Sequence, residues 1–118
     1  MPTRRLAVVT AGISQPSSTR LLADRLTSAT VDALTTQGID AEVSVFEVRD
    51  LARDLVDHLL TGFPSPRLRA AIDSLTAADG IIAVTPIFSA SYSGLFKTFF
   101  DVLEMDALRG TPVALAAT

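Results

Sequence analysis

Short apolar runs alternate along the chain with longer stretches in which apolar residues return every third or fourth position, and this alternation predicts an α/β fold. Arg5 to Thr10, RLAVVT, reads as a strand buried on both faces, and Ala11-Gly12 turns the chain out of the sheet. Leu22, Leu26, Ala29 and Ala33 recur at helical spacing, with Gly38 as the C-terminal stop. Asp40 to Val48 alternates small or apolar with polar residues, as suits a strand at the sheet edge. Asp50 is placed to cap a helical segment lined by Leu51, Leu55 and Leu59. Ser65 and Pro66 open another, whose core face is Leu68, Ile72 and Leu75. Ile81 to Val84 form a third strand that Pro86 must end, because proline cannot donate to a sheet ladder. Gly94 opens a helix carrying Leu95, Phe96, Phe99, Phe100 and Leu103, and Val113 to Ala117 reads as a fourth buried strand.

Strands alternating with helices in this order predict a doubly wound parallel sheet with right-handed crossovers, of the flavodoxin-like type. Its order is expected to be 2-1-3-4, with the fifth strand of that fold absent. Ligands of such sheets bind at the carboxyl ends of the strands, beside the switch in strand order. Two loops leave that edge. The first, Ile13 to Thr19, carries the hydroxyls of Ser14, Ser17, Ser18 and Thr19 where a helix begins. Unpaired amides and the positive end of the helix dipole lie there, so surplus hydroxyls would complete a cradle for a phosphate dianion. Simple capping needs only one of them. The second loop, Thr85 to Lys97, is TPIFSASYSGLFK. From Phe88 to Ser93 it holds two aromatic residues, three serines and no charge, a composition suited to a flat heteroaromatic ring. An ordinary turn in which Phe88 and Tyr92 pack on the core has the same composition.

Composition narrows the classes. At 118 residues the chain is expected to be one domain, residues 1–118, and a charged fraction of 19% with 48% hydrophobic residues marks it as globular. No apolar run approaches the roughly 20 residues of a membrane helix. The start, MPTRRLAVV, has arginines before an apolar run, but that run ends in a glycine loop and is read as a strand instead of a leader. A net charge of -3 without a basic cluster argues against nucleic acid. The absence of cysteine removes disulfides and thiol chemistry and fits a reducing cytoplasm. A lone histidine, His58, is expected on a partly solvated helix face and not in a metal site. Phosphoacceptor receiver domains need aspartates where Thr10 and Thr85 stand, and neither a P-loop nor a GxGxxG run is present.

Together the loops GISQPSST and TPIFSASYSGLFK resemble those of the NADPH-dependent FMN reductase family, in particular its small members that serve luciferase-like flavin monooxygenases. The resemblance extends over essentially the whole chain, including ADG before the third strand and GLFKTFFD after the second loop. It implies an enzyme that transfers hydride from NADPH or NADH to FMN and passes reduced flavin to a monooxygenase. Carried onto this sequence, it assigns the FMN phosphate to Ser14, Ser17, Ser18 and Thr19. It lays Pro86, Ile87, Phe88 and Ser89 along the isoalloxazine, with Ser91, Tyr92 and Ser93 nearby. A homo-oligomer is expected as well.

The chain departs from the family pattern in two places. Many members have serine directly after the loop glycine and arginine soon after it, where this chain has Ile13 and Gln15, so the phosphate charge would fall to Arg20 or the helix dipole. Members also continue past the fourth strand into a glycine-rich loop and further elements, so the domain is expected to be incomplete at its C-terminal end relative to the family. Two other activities suit the same fold: a flavodoxin-type electron carrier, and a quinone or azo reductase that keeps its FMN through turnover.

Overall fold

The computed structural model describes residues 2–14, 17–104 and 106–118. In chain order the elements are β1 (Thr3–Thr10), α1 (Ser18–Thr36), β2 (Asp40–Glu47), α2 (Ala52–Thr61), α3 (Pro66–Thr76), β3 (Gly80–Thr85), β4 (Ile87–Phe88), β5 (Ser91–Tyr92), α4 (Gly94–Asp101) and β6 (Val113–Ala117). The main sheet is parallel in the order β2-β1-β3-β6, as the alternating pattern predicts. Successive residues of β1 and β3 project to opposite faces, both covered, which is why their buried stretches, Leu6 to Val9 and Ile81 to Val84, are apolar without a break. Leu6, Val8, Ile82 and Val84 pack with Ala23 of α1 on one face. Ala7, Val9, Ile81 and Ala83 meet Leu55, Leu68, Leu75 and Phe99 on the other.

Local signals set most helix ends. Ser17, Ser65 and Ser93 cap α1, α3 and α4, accepting from the amides of Arg20 (3.1 Å), Leu68 (3.2 Å) and Phe96 (3.0 Å). Gly38 and Gly62 take the left-handed conformation that closes α1 and α2, a geometry in which any Cβ would be crowded.

Three expectations need correction. Asp50 caps nothing: Val48–Leu51 form a 3-10 turn that runs directly into α2, and the Ala52 amide already bonds the Arg49 carbonyl, leaving Leu51 at the cap position without a side-chain bond. The strand read as buried, β6, is not: it forms the sheet edge that the order 2-1-3-4 without a fifth strand implies, pairs with β3 alone, and leaves Val113 and Leu115 exposed. The loop after β3 is not irregular either. It folds as a two-stranded antiparallel hairpin, with Ile87 opposite Tyr92 and Phe88 opposite Ser91.

The hairpin turn is Ser89-Ala90, both at positive φ, 48° and 60°. A two-residue loop with both residues left-handed is the type I′ turn that strand twist favours, normally built from Asn-Gly. Replacing Ser89-Ala90 by Asn-Gly is therefore expected to raise stability by about 0.5–1 kcal/mol, less than the strain removed because glycine adds unfolded-state entropy. A lower urea midpoint for this variant would contradict that account.

Candidate functional site

At the carboxyl edge of the sheet, β1 and β3 lie side by side, and the first loop and the hairpin leave from their ends. Backbone bonds tie the rim together. The Ala11 amide donates to the Val84 carbonyl (3.0 Å), the Thr118 amide to the Thr85 carbonyl (3.0 Å), and the Ile87 amide to Thr118 O (2.9 Å). Thr85 is buried at the base of the hairpin; its hydroxyl accepts from the Ser93 amide (3.1 Å) and donates to the Pro86 carbonyl (2.9 Å).

The residues singled out from the sequence divide by exposure. Ile87, Phe88 and Tyr92 stand 46, 45 and 49% exposed, so the alternative in which Phe88 and Tyr92 are core residues does not hold. Ser89 and Ser91 are also exposed, and Pro86 is half-buried. Tyr92 leans on α4, its ring centroid 6.3 Å from that of Phe96. Ser93 faces inward, buried, with its oxygen engaged in the α4 cap. An apolar, uncharged surface is thus held in place by α4 and the sheet.

On the first loop, Ser14 and Ser18 are exposed and Ser17 is half-buried, whereas Thr19 is buried and shares a 2.9 Å hydroxyl–hydroxyl hydrogen bond with Thr118. Gln15 and Pro16, which belong to the predicted loop, lie outside the described residues. Gly12 sits against this turn so closely that an added Cβ would land on the Ser17 hydroxyl and lie 3.1 Å from Thr19 Cβ. The Thr10 hydroxyl, at the end of β1, is buried and has no hydrogen-bond partner among the described residues. A glycine-tight turn, a helix start and hydroxyls at a sheet edge fit an anionic group such as a flavin phosphate.

For the charge of that group the sequence offered Arg20 or the helix dipole, and a second arginine also borders the turn. The guanidinium of Arg20 bonds Asp24 (2.8 Å) and lies 3.6 Å from Glu47, contacts that raise its pKa, the Asp24 hydrogen bond foremost. Arg49, from the turn after β2, instead donates to the Ser14 carbonyl at 2.9 Å. Arg20, Arg49, Glu47 and Asp24 line, with Ser17, Ser18 and Leu21, a cleft of about 570 Å³ beside the start of α1. The cluster of charges in Glu47-Val48-Arg49-Asp50, directly after a strand next to β1, was the available signal. Lys97 lies outside this arrangement: Asp101 holds its ammonium at 2.7 Å and raises its pKa by that hydrogen bond.

The parallel order β2-β1-β3-β6, with two loops leaving the sheet edge beside β1 and β3, defines a flavodoxin-like α/β protein. The model of the NADPH-dependent FMN reductase family matches residues 4–118, and the chain belongs to that family. It is 33% identical over 114 residues to an FMN reductase (NADPH) of Pseudomonas aeruginosa, with 97% of this chain and 59% of the relative aligned. It is 32% identical over 114 residues to the NADH-dependent FMN reductase SfnF of Pseudomonas putida, with the same two shares aligned. The chain thus spans about three-fifths of the length of these relatives. Among solved structures, an oxidoreductase from Corynebacterium diphtheriae superposes with a TM-score of 0.97 at 43% identity, covering 99% of this chain and 64% of that one. The apo form of an NADH:FMN oxidoreductase, EMOB, superposes with a TM-score of 0.78 at 32% identity, covering 96% of this chain and 57% of that one.

Proposed function

We propose that the chain binds FMN across its two loops and acts as an NAD(P)H:FMN oxidoreductase, supplying reduced flavin to a monooxygenase. The observation that carries this reading is the pairing, at one sheet edge, of a glycine-tight hydroxyl turn with an uncharged hairpin whose Ile87, Phe88 and Tyr92 are half exposed. FMN, when bound, supplies the redox chemistry, accepting hydride from the nicotinamide. The protein's part is position. Ser14, Ser17 and Ser18 would donate to the phosphate, while buried Thr19 shapes the turn. Pro86, Ile87, Phe88 and Ser89 would lie along the ring system with Ser91 and Tyr92 beside them, shielding it from water, and Ser93 would hold the hairpin to α4. No acid, base or nucleophile is needed from the chain.

Mixing the protein with FMN and either NADPH or NADH in a stopped-flow spectrometer tests the reading. Rapid bleaching of the flavin is expected, followed by release of reduced FMN to a separate acceptor. Absence of bleaching with both nucleotides would favour the electron carrier, and FMN retained through turnover with a quinone would favour the quinone or azo reductase.

A cytoplasmic setting is part of the proposal; among the described residues no helix is long and apolar enough to cross a membrane. Self-association is part of the proposal too. Leu51 and Leu55 of the predicted apolar segment are buried, but Val56, Leu59, Leu60 and Phe63 form an exposed apolar strip on and just after α2. Light scattering is expected to show a dimer or larger species that Leu60→Glu disrupts; a monomer at all concentrations would remove this part.

A further inference from the structure

We infer that Arg49, a residue remote in sequence from the first loop, both tethers that loop and supplies the positive charge for which the FMN phosphate is preferred over a neutral flavin. The inference rests on the placement of the phosphate at the start of α1. From Ala11 to Thr19 the loop contains no cationic side chain, so any full positive charge must reach it from another element. Two arginines line the adjoining cleft. They are not equivalent. Arg20 is 39% exposed and directs its Nε at Asp24, its own neighbour one turn along α1. Arg49 is 18% exposed, and its Nη1 donates to the Ser14 carbonyl, 35 residues away in the chain.

Among the described residues, the charges at this position are Arg20, Arg49, Glu47, Asp24 and Asp50. Glu47 lies between the arginines, 3.6 Å from Arg20 and 3.2 Å from Arg49, and is itself only 19% exposed. Asp24 and Asp50 stand 53 and 61% exposed, so water and salt screen them strongly. The less screened groups are Arg49, Glu47 and Arg20, which together carry one net positive charge. Glu47 orients Arg49: its carboxylate takes one arm of the guanidinium while another arm holds the loop carbonyl. A planar guanidinium stays charged while it holds a carboxylate and a carbonyl at once. Because β2 lies next to β1, with Glu47 in register with Thr10, the turn after β2 brings this fork to the loop.

The test measures FMN and riboflavin affinities, at several ionic strengths, for the protein and for Arg49→Met, Arg49→Lys and Arg20→Met, with urea midpoints confirming that each variant folds. Arg49→Met is expected to weaken FMN by about tenfold or more, the scale of one charge-assisted hydrogen bond, and to leave riboflavin within about twofold. It should also flatten the salt dependence of FMN binding. Arg49→Lys, which keeps the charge, should recover most of the preference for FMN, whereas Arg20→Met should weaken FMN by no more than about threefold, because its guanidinium is directed at Asp24 and Glu47 while that of Arg49 is bonded to the loop. Equal losses of FMN and riboflavin in Arg49→Met, no recovery with lysine, or an Arg20→Met loss matching that of Arg49→Met would overturn the assignment. If the unaltered protein binds riboflavin as tightly as FMN, the phosphate placement itself fails, whatever the variants do.

Discussion

Gly12→Ala is expected to destabilise the protein by about 2–4 kcal/mol and to abolish measurable flavin binding. The new methyl would land on the Ser17 hydroxyl, with Thr19 Cβ at 3.1 Å and Ser17 Cβ at 3.2 Å. Moving that hydroxyl removes the α1 cap, worth about 1 kcal/mol, and crowding a packed site adds about 1–3 kcal/mol. Thr19 cannot retreat easily, being buried and bonded to Thr118, so the strain passes into the turn that would receive the phosphate. Gly94→Ala makes the control, since a Cβ there meets nothing within 4 Å and alanine favours the helix it begins. Urea unfolding and FMN titration of both variants give the answer. A Gly12→Ala protein within about 0.5 kcal/mol of the original, binding FMN normally, would show that the turn adapts and is no cradle.

The second large effect concerns the hydroxyls. Ser17→Ala combined with Ser18→Ala should weaken FMN by about 10- to 100-fold, the loss of two hydrogen bonds to a charged group, and change riboflavin by less than about threefold. Ser17 can serve both roles, because a hydroxyl accepts from the Arg20 amide while donating its own proton elsewhere. Thr19 is better replaced separately. Its bond to Thr118 makes it part of the frame, and Thr19→Ala is expected to lower the unfolding midpoint as well as FMN affinity. Equal losses of FMN and riboflavin in the double serine variant would move the phosphate away from this loop.

Much of the architecture was legible because its causes are local. Unbroken apolar runs in β1 and β3 announce strands covered on both faces, and the recurrence of Leu68, Ile72 and Leu75 announces one helix face. Ser65-Pro66 and Ser93-Gly94 mark helix starts by chemistry confined to a single turn. Asp50 misled for the same reason: a capping residue is recognisable locally, but whether a 3-10 turn already serves the amides depends on how the chain arrives. The hairpin was hidden because Ser89-Ala90 is not a usual turn pair, and its geometry is imposed by Thr85, Thr118 and α4 around it.

By itself, then, the sequence determined the alternation of strands and helices and the kinds of side chain in the two loops between them, since periodicity and turn chemistry act over a few residues. The tertiary structure alone decided which of those side chains are available. It buried Thr19 against Thr118, 99 residues away, turned Ser93 inward as a cap, half exposed Phe88 and Tyr92, and brought Arg49 to Ser14 while Asp24 and Glu47 engaged Arg20. Hydrogen bonds and ion pairs of this kind depend on distances set by strand order and helix packing, which no short stretch of sequence encodes.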